Sequence, residues 1–412
     1  MAHIIDNEDG NTLTGTNGAD HLEGRGGNDF LIGNGGADIM DGGLGNDFAV
    51  YTNSANGVTV DLIAGTATGQ GTDTLIAIEN IDGSMRQDTI RLGNGGEFAN
   101  GNGEDDSIWG RAGADTLFGG DGHDRLFGES GDDVELSGQD GDDFLAPGTG
   151  LGTAVRGGDG NDTVSYADAN VGMTVYLWDN DAFDSGFNGI VTNLLDSIEN
   201  AEGSTQADHI EGTDQANALR GLGGGDTLKG LGGDDELFGG DGADFLYGDD
   251  GNDVVRGEKG NDNLYGGAGD NQLFGGAGGD TLWGSGGADQ VELFVGGAGK
   301  DTMHGLGGRD TFRFDQITDS AVGNARDTIV DLFRSEGDRI DLSAIDARTG
   351  QAGNQGFTFI GNGAFTASGQ VRVVDREFGA KLVQISNDGD LQADMEIWVG
   401  IAPQLGAQDF VL

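Results

Sequence analysis

From Gly221 to Glu292 the chain repeats one nine-residue unit eight times without insertion or deletion. Asp226, Asp235, Asp244, Asp253, Asp262, Asn271, Asp280 and Asp289 fall on one beat. Two residues after each comes an aliphatic: Leu228, Leu237, Leu246, Val255, Leu264, Leu273, Leu282 and Val291. Glycines crowd the positions before the beat, as in Gly239-Gly240-Asp241-Gly242-Ala243-Asp244. The unit is therefore Gly-Gly-x-Gly-x-Asp-x-apolar-x, and a fixed period this short is the signature of a solenoid. A flexible glycine linker has no reason to keep a hydrophobic residue in phase.

Glycine tolerates positive φ, so the glycine-rich stretch can turn tightly and aim carbonyls inward. The Asp adds a charged oxygen, and an all-oxygen cage of carbonyls and carboxylates suits Ca²⁺. The three residues after the Asp are too few for a helix but enough for a short strand, in which alternate side chains face opposite ways. Two units then make one coil with a strand on each side, and same-side loops stack about 4.8 Å apart. A cation can sit between such neighbours, for example between Asp226 and Asp244. The expected fold is all-β, a right-handed parallel β-roll with a C-terminal β cap.

The chain has 412 residues, with 84 Gly, two Pro and no Cys, and 72 acidic against 20 basic residues give a formal charge of −52. Without counter-ions such a chain repels itself and stays expanded, so folding is expected to be coupled to metal binding. No basic stripe exists to meet phosphates, which argues against nucleic acid. No apolar run is long enough to span a membrane. The start, Met1-Ala2-His3-Ile4-Ile5-Asp6, lacks the basic and apolar parts of a signal peptide, which points to another route if the protein is exported.

Repeat blocks are expected at 1–50, 88–166 and 208–314, separated by interruptions at 51–87 and 167–207. The slots proposed to hold metal are Asp20, Asp29, Asp38 and Asp47 in the first block, and Asp106, Asp115, Asp124, Asp133, Asp143 and Asp162 in the second. In the third they are Asp226, Asp235, Asp244, Asp253, Asp262, Asp280, Asp289, Asp301 and Asp310. Leu293-Phe294-Val295 reads as a three-residue excess that lengthens or bulges one strand. The interruptions resemble each other: Thr59-Val60-Asp61-Leu62 matches Thr174-Val175-Tyr176-Leu177, and Ile78-Glu79-Asn80 matches Ile198-Glu199-Asn200. They read as coils with wider loops that continue the stack, or as breaks between separate rolls. From 315 to 412 the glycine rhythm stops and strand-like runs follow, including Thr328–Leu332, Arg339–Leu342, Lys381–Ile385 and Met395–Val399. Asn387-Asp388-Gly389-Asp390 reads as a turn rather than a calcium loop.

These nonapeptides resemble the RTX repeats, the calcium-binding β-roll units of proteins exported by bacterial type I secretion. The tail is similar to the C-terminal domain of serralysin-type proteases, on Asp310-Thr311-Phe312-Arg313-Phe314, Asp327-Thr328-Ile329, Asp338-Arg339-Ile340-Asp341-Leu342 and the ending Asp409-Phe410-Val411-Leu412. The resemblance implies multiple Ca²⁺ as cofactor and the type I secretion machinery as partner. It also implies a chain held unfolded in the calcium-poor cytoplasm and folded outside the cell, with the terminal residues part of an uncleaved export signal.

No His is followed by Glu, so the zinc motif of serralysins is missing, and Gly-x-Ser-x-Gly is missing too. A non-enzymatic protein is expected. The ninth residue of each unit points outward, which should stack Tyr247, Tyr265 and Trp283 on one face, Phe238 and Phe274 on the other, and Trp109 with Phe127 in a shorter ladder. Such ladders stiffen a sheet, or they offer an apolar stripe to another protein or a sugar chain. The best reading is a secreted calcium-binding structural protein of the bacterial cell surface or matrix, an S-layer, biofilm or adhesion component. The alternative is an extracellular polysaccharide-binding module related to those of alginate epimerases, and the third is a hydrolase with an unrecognised site.

Overall fold

The computed structural model describes residues 2–6, 9–184, 191–349, 351–402 and 404–412. Two compact units follow one another, Met1–Glu202 and Gly203–Leu412. No helix among the described residues is long and apolar enough to cross a membrane.

Each unit is a parallel β-solenoid. In the second, Thr227–Gly232, Phe245–Asp250, Asn263–Tyr265, Thr281–Trp283 and Thr302–His304 form successive rungs of one sheet. The other sheet stacks Glu236–Gly242, Val254–Gly260, Gln272–Gly278, Leu293–Gly299 and Thr311–Arg313. The register pairs each aliphatic with its counterpart two units later, Leu228 with Leu246 and Leu246 with Leu264. All of these are fully buried, as are Leu237, Val255 and Leu273 on the facing sheet. Each such leucine contributes roughly 1.5–3 kcal/mol by leaving water. Each nine-residue unit is thus one strand and one turn, with one inward side chain per strand, and two units close one coil.

The first unit stacks Phe98–Gly103, Thr116–Asp121, Glu135–Asp140 and Thr153–Asp159 on one side, and Ser107–Trp109, Arg125–Phe127, Phe144–Ala146 and Thr163–Ser165 on the other. Its interruption at 51–87 contains antiparallel pairing that the sequence did not reveal. Thr59–Asp61, Thr66–Thr68 and Thr72–Ile76 form an antiparallel meander. Its outer strands pair in parallel with Ile39–Asp41 and Thr89–Arg91, so the sheet continues through it. Gly65 supplies a positive φ (66°) at the turn between the first two strands. In the second interruption Asp181–Asp184 is likewise antiparallel to both Met173–Tyr176 and Val191–Asp196, while residues 185–190 lie outside the described residues. The likeness extends to the interior: Val60 and Val175, and Ala67 and Ala182, are fully buried. Glu79 and Glu199 each accept a hydrogen bond from a slot N–H, Asp47 at 2.9 Å and Asp162 at 2.8 Å.

The three-residue excess of the third block lies elsewhere than expected. Leu293–Gly299 keeps ordinary register with Gln272–Gly278, so Phe294 is the inward residue and Val291 is not. The extra residues enlarge the preceding loop, because a turn absorbs length that a paired strand cannot. Beyond residue 315, Asp327–Asp331 and Arg339–Asp341 extend the two sheets. Met395–Ile401 pairs in parallel with Asp327–Asp331 and antiparallel with Lys381–Ser386, which pairs with Gln370–Asp375. Phe410–Val411 then adds in parallel to Arg339–Asp341.

Candidate metal centres

Every predicted metal residue except Asp289 lies buried at the turn between two rungs. The arrangement repeats. The backbone N–H of one slot donates to Oδ1 of the Asp one coil later: Asp226 to Asp244 at 2.8 Å, Asp244 to Asp262 at 3.0 Å, Asp262 to Asp280 at 2.9 Å, Asp280 to Asp301 at 2.9 Å. Asp106 to Asp124 and Asp124 to Asp143, both at 2.7 Å, do the same in the first unit. The second oxygen, Oδ2, is buried and accepts no hydrogen bond in Asp29, Asp38, Asp47, Asp106, Asp115, Asp124, Asp133, Asp143 and Asp162, nor in Asp226, Asp235, Asp244, Asp253, Asp262, Asp280, Asp301 and Asp310. A buried carboxylate oxygen without a partner is costly and demands an explanation.

Its surroundings supply one. A Cβ on Gly239 would lie 2.4 Å from Oδ2 of Asp244 and 2.9 Å from the carbonyl oxygen of Gly257. Gly221 and Gly257 stand in the same relation to Asp226 and Asp262, with the Gly239 and Gly275 carbonyls beside them. At these slots the orphaned oxygen therefore sits in a glycine cradle beside a carbonyl of the next coil, an all-oxygen donor set that fits Ca²⁺. Four residues before the slot the backbone is left-handed: Leu222, Leu231, Asp249 and Glu258 have φ of 73°, 76°, 69° and 72°. Without a cation, burial pushes these carboxyls up, Asp226, Asp280 and Asp301 to about 7 and Asp106 to about 8.

Four slots are built differently. At Asp20, Asp88, Asp208 and Asn217 a Ser or Thr stands four residues earlier. Its N–H reaches the slot side chain at 2.5–2.6 Å, from Thr16, Ser84, Ser204 and Thr213. The hydroxyls of the same residues reach it too. These slots are satisfied without a cation. At Asp20, one of the predicted metal residues, the Ala2 and Thr16 N–H groups and the Thr16 hydroxyl hold the carboxyl down at about 2.

Asp289, predicted as a metal residue, does not reach a slot. It is exposed, and Glu292 takes its slot, fully buried with Oε2 orphaned. Asp327 was missed: its Oδ1 accepts the Asp301 N–H at 2.9 Å and its Oδ2 is orphaned. The phrase Asp327-Thr328-Ile329 carries the slot-x-apolar signal, hidden by the long connection at 314–326. Outside the slots, Asp388, Asp390 and Asp394 gather their carboxylates within 4.8 Å.

The outward ladders stack as expected and run one ring further. Tyr247 and Tyr265 lie 4.7 Å apart, Tyr265 and Trp283 6.3 Å, and His304 adds to Trp283 at 3.5 Å, all within 11° of parallel. On the facing sheet guanidinium groups interleave: Arg220 and Arg256 flank Phe238 at 4.1 and 5.4 Å, and Arg256 meets Phe274 at 4.9 Å. Trp109 stacks on Phe127 at 5.3 Å beside a cleft of about 540 Å³ that Glu129 and Asp168 also line.

Orphaned carboxylate oxygens beside glycine carbonyls, renewed at rung after rung of parallel strands, define a calcium-binding β-roll. A family model of the RTX calcium-binding nonapeptide repeat (4 copies) matches residues 14–49, 100–135, 124–153, 196–228, 220–255, 229–264, 256–291 and 292–316, about half of the chain. The chain belongs to this family, and Ca²⁺ is its cation. No curated protein matches it. Among solved structures, the AlgE6R3 subunit of the Azotobacter vinelandii mannuronan C5-epimerase is similar at 22% identity over 50% of this chain and 79% of that one, with a TM-score of 0.22. A likeness that weak carries no functional weight.

Proposed function

We propose that this RTX protein is a secreted, non-enzymatic structural component of a bacterial cell surface or extracellular matrix, folding on calcium after type I export, with residues 315–412 closing the end of its roll. One observation supports this above the others: the cation slots are not an accessory to some other site but recur through the body of both units. Calcium binding then doubles as the folding reaction. The test is a calcium titration followed by circular dichroism and light scattering. A compact, strand-rich chain that self-associates as calcium rises is the expected result. A calcium-folded chain that stays monomeric at all concentrations refutes the structural role.

The ladder Tyr247–Tyr265–Trp283–His304 favours a second reading, an extracellular polysaccharide-binding face. Flat, half-exposed, parallel rings suit the C–H faces of sugars. Binding of the calcium-loaded protein to a panel of bacterial polysaccharides, lost in Tyr265→Ala and Trp283→Ala, would support it. No binding across the panel removes it.

A further inference from the structure

In the first unit the column of outward rings stops short. Phe127 pairs with Ala146, and by the same register Ser165 follows. Neither is large enough to cover a ring, so the cleft of about 540 Å³ opens beside Phe127, with Thr149, Tyr166 and Ala169 along it. A second cleft, of about 410 Å³, shares Gly148, Thr149, Tyr166 and Ala169 with the first and reaches Asn193. Both volumes fall in the roughly 300–1,000 Å³ range of small-molecule sites.

The second cleft lies where the series of acids breaks. Thr153 and Asn193 pair on neighbouring strands, in the places that Asp38 and Asp73 hold at the first interruption. There the Asp38 N–H donates to Asp73 Oδ1 at 3.0 Å, and the Tyr51 hydroxyl donates to Oδ2 at 3.4 Å. Here both acids are gone. Asn193 Nδ2 donates to the Tyr166 hydroxyl at 3.2 Å, while Asn193 Oδ1 and Thr153 Oγ1 are buried without a partner. A pair with no carboxylate is a poor cage for Ca²⁺, yet a buried orphaned oxygen still calls for a donor. Around it the clefts offer acceptors: exposed Glu129 and Asp168 line the first and exposed Asp132 the second, and no Lys or Arg lines either among the described residues.

We propose that the two adjoining clefts form one binding site for an uncharged saccharide. A sugar ring lies against Phe127 in the space that Ala146 leaves open, and hydroxyls of the chain donate to Asn193 Oδ1 and to the carboxylates at the rim. Aromatic surface with a few placed polar groups is the usual make-up of such a site. An acidic polysaccharide is refused, because its carboxylates would meet Glu129, Asp132 and Asp168 with no cation to answer them. The site lies within the first unit and does not depend on the ladder at Tyr247, Tyr265 and Trp283, which belongs to the second.

The test is calorimetric titration of the calcium-loaded full chain with cellohexaose, mannohexaose and chitohexaose, and with hexagalacturonate as the acidic control. At least one uncharged hexamer should bind at one site per chain, and hexagalacturonate should not. Ala146→Phe continues the ring column into the first cleft, and Ala169→Trp fills the half-exposed wall common to both; each should fold and lose binding. Asn193→Ala should weaken it about tenfold. Tyr265→Ala and Trp283→Ala should leave it unchanged. Circular dichroism at saturating calcium reports the fold of every variant. The proposal is overturned if no uncharged hexamer binds the folded wild type, if hexagalacturonate binds as well as they do, or if binding survives in folded Ala146→Phe and Ala169→Trp. Binding lost in Trp283→Ala and kept in Ala146→Phe would also overturn it, and would assign the sugar to the ladder of the other unit.

Discussion

The glycine two residues before each slot is the most exacting element of the roll, and Gly260→Ala tests it. Gly260 has φ of 142°, and a Cβ there would lie 1.3 Å from the carbonyl oxygen of Gly242 and 2.5 Å from its carbon. The glycines form a column: a Cβ on Gly278 would meet the Gly260 oxygen at 1.3 Å, and one on Gly299 the Gly278 oxygen at 1.4 Å. Ordinary contact begins near 3.4 Å, so the rungs must part locally by about 2 Å in a stack whose spacing is only about 4.8 Å. Overpacking of this kind costs about 1–3 kcal/mol, and the backbone conformation adds a similar amount for any residue with a Cβ. The second unit should lose roughly 2–6 kcal/mol. Calcium midpoints would understate the loss. Spread over on the order of ten cooperative ions, about 3 kcal/mol moves the midpoint less than twofold. Urea unfolding at saturating calcium reads the whole difference. Gly286→Ala is the control, since a Cβ there meets nothing within 4 Å, and it should change stability by less than about 0.5 kcal/mol. Equal behaviour of the two variants would refute the rung-on-rung explanation of the glycine.

Three further outcomes follow from the same geometry. Chelation with EDTA should abolish most strand signal in circular dichroism and expose the chain to protease, and millimolar calcium should restore both; a compact, protease-resistant metal-free chain would contradict the role given to the orphaned oxygens. In calcium-free solution the slot carboxyls have folded pKa values raised from 3.8 to about 7, as for Asp226, Asp280 and Asp301. The folded state then holds more protons than the unfolded between those values, so metal-free stability falls as pH rises through about 4 to 7; strand signal should be regained on acidification from pH 8 to about 5, and a flat profile would count against it. Deleting residues 409–412 should destabilise the C-terminal region as well as reduce export. Phe410–Val411 covers the rung of fully buried Ile340, Phe410 stacks on Phe359 at 5.4 Å, and buried Asp409 pairs with Arg334 at 3.3 Å. Limited proteolysis should show cleavage beyond residue 333 while 203–313 stays protected, and an unchanged digest would show that the tail contributes nothing to the fold.

The period made most of this legible in advance, because one inward aliphatic and one slot per nine residues leave few alternatives. Where it misled, two registers were available. Asp289 and Val291 keep the beat counted forward from Asp280, but Glu292 and Phe294 keep it counted backward by eighteen from Asp310 and Phe312. Only the pairing of strands decides between them. The interruptions alternate polar and apolar as strands should, yet nothing local says which neighbour a strand joins, so the antiparallel meander stayed hidden. The satisfied slots had a signal that went unread: Thr16, Ser84, Ser204 and Thr213 stand where other units place a left-handed residue.

Those hydroxyl-bearing turns change how the molecule should come apart. Asp88 and Asp208 each stand just past an interruption, Asn217 lies nine residues beyond Asp208, and Asp20 opens the first block. Stripping ions takes nothing from these positions, whereas the stretches downstream lose the counter-charge at each successive carboxylate. Each tract therefore loosens from its interior and retains a formed edge. When ions return, that edge is a template on which the next coil can be laid, sparing the chain the costly step of closing its first loop unaided.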